Sequence, residues 1–128
     1  MSKVQMGGKD AMSENVNKSE EAFRELVRVL EVAVRAGANS VGLEPEDEDL
    51  TVVHYFGSRG QVEGPIRNEL KQAVLAEIIS RADLAGKPKG EMRLSLLGTE
   101  YKVVVDKRES FDECSFNLTL KKTGRRGT

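Results

Sequence analysis

The chain has 128 residues, 38% of them hydrophobic, which is enough for one packed core and therefore one domain. Its 20 basic side chains nearly cancel 21 acidic ones, and a formal net charge of -1 excludes a global field that would draw nucleic acid or an anionic membrane. A lone cysteine, Cys114, and a lone histidine, His54, exclude an internal disulfide and a Cys/His zinc site, so the expectation is no metal and no cofactor.

Residues 1–18 (MSKVQMGGKDAMSENVNK) show neither a sustained helical nor a strand period, and read as a flexible N-terminal arm. They lack the apolar core of a signal peptide, and no stretch approaches the roughly 20 apolar residues that span a bilayer; the expected location is the cytoplasm. Ser19 reads as a helix cap, followed by Glu20 and Glu21 at the positive end of the dipole. Phe23, Leu26, Val27, Leu30, Ala33 and Val34 then form an apolar stripe at spacings of three and four, and Gly37 stops the helix.

The runs Ser40–Pro45 and Leu50–Phe56 read as a hairpin of two strands, the second with apolar residues on both faces. The turn Gly57-Ser58-Arg59-Gly60 leads to a short third strand, Gln61–Glu63, and Pro65 is expected to open a second helix with the stripe Ile66, Leu70, Val74, Ile78 and Ala82. After the loop Leu84–Gly90, three strands follow by alternation: Met92, Leu94 and Leu96; then Tyr101, Val103 and Val105; then Phe116, Leu118 and Leu120. The expected class is α+β, an antiparallel sheet of five to six strands carrying two helices in a PAS-like layer, with the domain at 19–121 and a basic flexible tail at 122–128.

Few residues invite chemistry. His54 shares a strand face with Leu50, Val52 and Phe56, which suits a packed or hydrogen-bonded strand histidine better than a general base. Cys114 stands beside Asp112 and Glu113, whose charges disfavour a thiolate, so no catalytic residue is assigned. The run Glu44-Pro45-Glu46-Asp47-Glu48-Asp49 lacks the spaced ligands and glycine of an EF-hand loop and reads as a solvated hairpin tip. Glu46, Asp47, Glu48 and Asp49, with Arg59, are the candidate partner-binding residues, the acidic tip steering a basic partner. Pro88 removes an amide from Gly86-Lys87-Pro88-Lys89-Gly90, which weakens a phosphate-loop reading, and Lys121, Lys122, Arg125 and Arg126 lack the interleaved aromatics of a single-strand binder.

The run Ala36-Gly37-Ala38-Asn39-Ser40-Val41-Gly42-Leu43-Glu44-Pro45 is similar to an Ala-Ser-Asp-Ile-His-Ile-Glu-Pro strand signature. It resembles the N-terminal domain that precedes the motor core of type II secretion and type IV pilus assembly ATPases. Leu50–Phe56 with its glycine turn, the helix ending at Arg81-Ala82-Asp83-Leu84-Ala85, and the strands at 91–97, 100–106 and 116–120 look like the elements that follow in that family. The resemblance implies the α+β fold and a role in contacting a secretion ATPase. It departs at the arginines with which that family closes on nucleotide: the matching positions hold Tyr55 or Phe56, Lys89 to Glu91, and Val104. The signature Asp and His are replaced by Ser40 and Gly42, and no Gly-x-x-x-x-Gly-Lys-Ser/Thr loop is present. The expected function is a non-enzymatic module that binds another protein, a secretion or pilus ATPase or a second copy as a homo-oligomer, with no nucleic acid and no membrane insertion. The alternatives are a small-ligand or nucleotide sensor with a cavity between sheet and helices and, below it, a secretion chaperone.

Overall fold

The computed structural model describes residues 2–46, 49–110 and 113–123. The element order is α1 (Ser2–Ala36), β1 (Ser40–Glu46), β2 (Asp49–Phe56), β3 (Arg59–Ile66), α2 (Asn68–Arg81), β4 (Lys89–Leu96), β5 (Thr99–Ser110) and β6 (Glu113–Lys122). All six strands are antiparallel and lie in the order β3-β2-β1-β6-β5-β4, so the expected α+β class and element order hold.

Two meanders run outward from the middle, and the centre is the pairing of the first strand with the last, from Ser40 opposite Thr119 to Leu43 opposite Phe116. Both helices cover one face. There Leu26, Leu30 and Ala33 of α1 and Leu70, Val74 and Ile78 of α2 meet Val41, Leu43, Leu50, Val52, Met92, Leu94, Leu96, Val103, Val105, Phe116 and Leu118 in one buried cluster. Each fully buried leucine contributes about 1.5–3 kcal/mol, which makes this face the main source of stability. The alternation of the strands leaves the opposite face to Ser40, Gly42, Glu44, Tyr55, Lys102, Asn117 and their neighbours, with no helix above it among the described residues.

Several boundaries differ from the sequence reading. The α1 helix begins at Ser2, not Ser19, and its expected arm at 1–18 is helical from residue 2. No proline interrupts that stretch, and once the packed part nucleates the helix, each added residue gains a backbone bond even across Gly7 and Gly8. Ser19 is not a cap; its hydroxyl donates to Glu77 Oε2 of α2 at 2.6 Å. Pro65 and Ile66 end β3 and do not open α2, which starts at Asn68. Pro65 sits on an edge strand opposite Thr51, where a missing N–H is tolerated. Lys122 belongs to β6 and not to a tail, while residues 124–128 lie outside the described residues.

Both helices end in the same hydrogen-bond pattern. Ala38 N–H donates to Ala33 O and Gly37 N–H to Val34 O, with Gly37 at φ 86°. At the end of α2, Leu84 N–H donates to Ile79 O and Asp83 N–H to Ser80 O, but there the left-handed position is held by an aspartate at φ 55°. The two helices are joined by Arg67 to Glu21 at 2.9 Å and by the Arg81 guanidinium over the Phe23 ring at 3.6 Å.

Candidate functional site

The helix-free face of the sheet carries a depression of about 380 Å³ above β1, β2, β5 and β6. Its shape originates in two glycines. Tyr55 of β2 faces Ser40 on one side and Gly60 on the other, and its ring occupies the space left by the missing side chains of Gly42 and Gly60. A methyl group on Gly42 would stand 2.9 Å from Tyr55 Cε2, and one on Gly60 would stand 2.9 Å from Cε1. Any larger residue would lift the ring and fill the floor. Gly42 and Gly60 together thus give Tyr55 its place.

The phenol is fixed at its far end by Glu44, to whose Oε2 the Tyr55 hydroxyl donates at 3.1 Å. Burial, and then the hydrogen bond to Glu44 and its negative charge, push the Tyr55 hydroxyl above its ordinary value, while Arg108 pulls the other way. Tyr55 therefore stays a neutral donor at physiological pH. The other wall comes from β5 and β6: Arg108 pairs with Ser115, and Asn117 faces Gly42 across the central seam. Arg108 and Ser115 lie one step beyond the last β1–β6 pair, Leu43 with Phe116. The rim at Gly57 and Ser58 is set by Asn39, whose Oδ1 accepts the Gly57 N–H at 2.6 Å and whose own N–H donates to Tyr55 O.

The depression thus presents a carboxylate on one side, a guanidinium on the other, and a flat ring, an amide and hydroxyls between them. Such a set offers groups complementary to a polar or zwitterionic surface. The single imidazole is on the other side of the sheet: His54 pairs with the core residue Val41 and is buried. Its Nδ1 has no hydrogen-bond partner, and Glu63 Oε2 lies 3.6 Å away. Of the two expectations for His54, a packed or a hydrogen-bonded strand histidine, the structure shows the packed one at that nitrogen.

The residues singled out in the sequence are dispersed. Glu46 and Asp49 face each other, exposed, at one end of the β1–β2 hairpin, where Glu46 accepts from Thr51 Oγ1 at 3.1 Å. Asp47 and Glu48 lie outside the described residues. Arg59 is at the other end of β2, its guanidinium 5.6 Å from the centroid of the Phe56 ring. Seven steps of strand put it about 23 Å from the acidic tip, so the tip and Arg59 do not form one site. Cys114 is half-buried; burial pushes its thiol up, with Lys107 lowering it and Glu109 raising it. Asp112, invoked for the same effect, lies outside the described residues.

Tyr55, Glu44, Arg108 and Asn117 escaped the sequence reading because they come from four strands, and only the β1–β6 pairing brings them together. Among the described residues, no cluster of three or more His, Cys, Asp or Glu could hold a metal ion, and no helix is long and apolar enough to cross a membrane. Comparison with known protein families and with curated proteins finds no match to this chain.

Proposed function

We infer that this chain is a non-catalytic, cytoplasmic recognition module that binds another protein through the open face of its sheet. The carrying observation is the depression bounded by Glu44 and Arg108, with the Tyr55 ring held between Gly42 and Gly60. Opposite charges on its two sides fit a partner segment that offers a basic side chain to Glu44 and an acidic one to Arg108, with the tyrosine ring as a sequence-tolerant platform. The similarity of the Ala36–Pro45 run to the N-terminal domains of secretion and pilus ATPases supports an adaptor role beside such a motor.

The second reading is a small polar ligand, favoured by a volume within the range of ligand sites. Against a nucleotide stands Glu44, which repels phosphate in the same depression. The site also lies on the face away from the helices, whereas a PAS-like sensor uses the space between sheet and helices, filled here by the core cluster.

The test compares affinity capture by the native chain with capture by a Glu44→Lys/Arg108→Glu double reversal, followed by titration of each purified candidate. A protein bound by the native chain and at least tenfold weaker with the reversal supports the reading. Identical capture by both chains refutes it, and a thermal shift with nucleotides or metabolites that the reversal abolishes transfers the site to the second reading.

A further inference from the structure

We propose that two copies of this chain pair through the outer edge of β4, antiparallel about a two-fold axis at Met92, to form one continuous twelve-stranded sheet. This rests on β4 alone and stands whether or not the open face binds a partner.

The sheet has two edges, β3 and β4, and they differ. The β3 edge is blunted: the register breaks between Val52 and Val53, Gly64 turns the chain at φ 135°, and Pro65 removes a donor. Bulges and prolines of this kind are how edges are kept from pairing. The β4 strand runs in unbroken register with β5 from Lys89 to Leu96, and among the described residues nothing pairs with its outer side. One open edge and one closed edge produce a pair that terminates and not a fibre.

The backbone dictates which groups are free. Lys107 N–H donates to Pro88 O, so in an antiparallel ladder the residues of β4 bonded to β5 are Gly90, Met92, Leu94 and Leu96. The N–H and C=O groups of Lys89, Glu91, Arg93 and Ser95 therefore point outward. A second copy of β4 satisfies them only if these four meet one another.

Charge then selects the register. With the axis at Met92, Glu91 of each copy faces Arg93 of the other, and Lys89 faces Ser95. Moving the axis one residue toward Glu91 sets Glu91 against Glu91 and Lys89 against Arg93; moving it toward Arg93 sets Arg93 against Arg93. Directly opposed like charges destabilise a strand pair and opposite charges stabilise it. Glu91, Arg93 and their intrachain partners Lys102 (3.9 Å from Glu91) and Glu100 (3.5 Å from Arg93) form an alternating set that the second copy extends.

The experiment is sedimentation equilibrium of the full chain over a wide concentration range, with Glu91→Arg, Arg93→Glu and the double exchange. The expected result is a reversible dimer of the native chain. Each single reversal places like charges at both symmetric pairs and weakens the dimer about tenfold or more. The double exchange restores it, and an equimolar mixture of the two single variants forms a heterodimer that neither forms alone. Restoration also shows that the single variants lost pairing and not folding. A native chain that is monomeric at every concentration overturns the proposal, as does a dimer indifferent to both reversals.

Discussion

Gly90 is the most crowded of the described glycines. It stands near the start of β4 opposite Val105, and a methyl group built there runs into Ala82 O, with Leu84 Cδ2 at 3.1 Å. Ala82 and Leu84 are buried at the end of α2, so the obstructing oxygen is backbone and has no room to retreat. Relieving the overlap to an ordinary carbon–oxygen contact moves β4 away from α2 by about 1 Å. Overpacking of this kind costs about 1–3 kcal/mol, and distorting the two backbone bonds of the Gly90–Val105 pair adds about 1 kcal/mol each. Gly90→Ala is therefore expected to lower stability by about 3–5 kcal/mol and Tm by roughly 10–20 °C. Urea unfolding followed by circular dichroism measures this, with Gly86→Ala as the control. Gly86, unlike Gly90, requires a positive φ, 72°, but has open space around it, so its cost is confined to about 1–2 kcal/mol of backbone strain. A loss for Gly90→Ala no larger than for Gly86→Ala would refute the crowding account.

Asp83→Gly relieves the left-handed position at the end of α2 and loses only the exposed Lys87 pair, so chemical denaturation should show a gain of about 0.5–1 kcal/mol. Glu77 accepts from Ser19 and Arg81, and the Ser19 hydrogen bond, then Arg81, hold its carboxyl below the usual 4.5 despite burial. A lowered folded-state value means stability present above the ordinary value and lost as pH falls through the folded one. Glu77→Gln should accordingly cost about 1 kcal/mol at neutral pH, with the difference shrinking below pH 4.5 in a series of urea titrations. His54→Leu removes a buried nitrogen that has no partner and is expected to be neutral or stabilising by about 1 kcal/mol, whereas a loss above about 2 kcal/mol would mean that the imidazole is satisfied in solution.

The alternation of Met92, Leu94 and Leu96 and of Tyr101, Val103 and Val105 made the second meander legible, because one buried face imposes a period of two. The stripe through Leu70, Val74 and Ile78 did the same for α2. Pro65 misled, since proline suits both a helix start and the end of an edge strand, and only the pairing with Thr51 decides between them. The first part of α1 was hidden because it carries no apolar stripe for periodicity to detect. The candidate site was illegible for a different reason: its four polar side chains are far apart along the chain, each is unremarkable on its strand, and the sheet order that gathers them is a non-local fact.

The central seam between β1 and β6 also sets the order of events during synthesis. β1 emerges early and β6 last among the strands, so until β6 is made β1 has only β2 beside it and its other edge, with Val41 and Leu43, is open. The nascent first half is a three-stranded sheet whose free side is destined for the middle of the molecule, which is where strand-exchange and misassembly arise. A chain interrupted before Glu113 would keep both helices and five strands yet expose this interior edge for its lifetime. Folding of this protein is in that sense a closure, completed when the final strand is inserted between two halves already built.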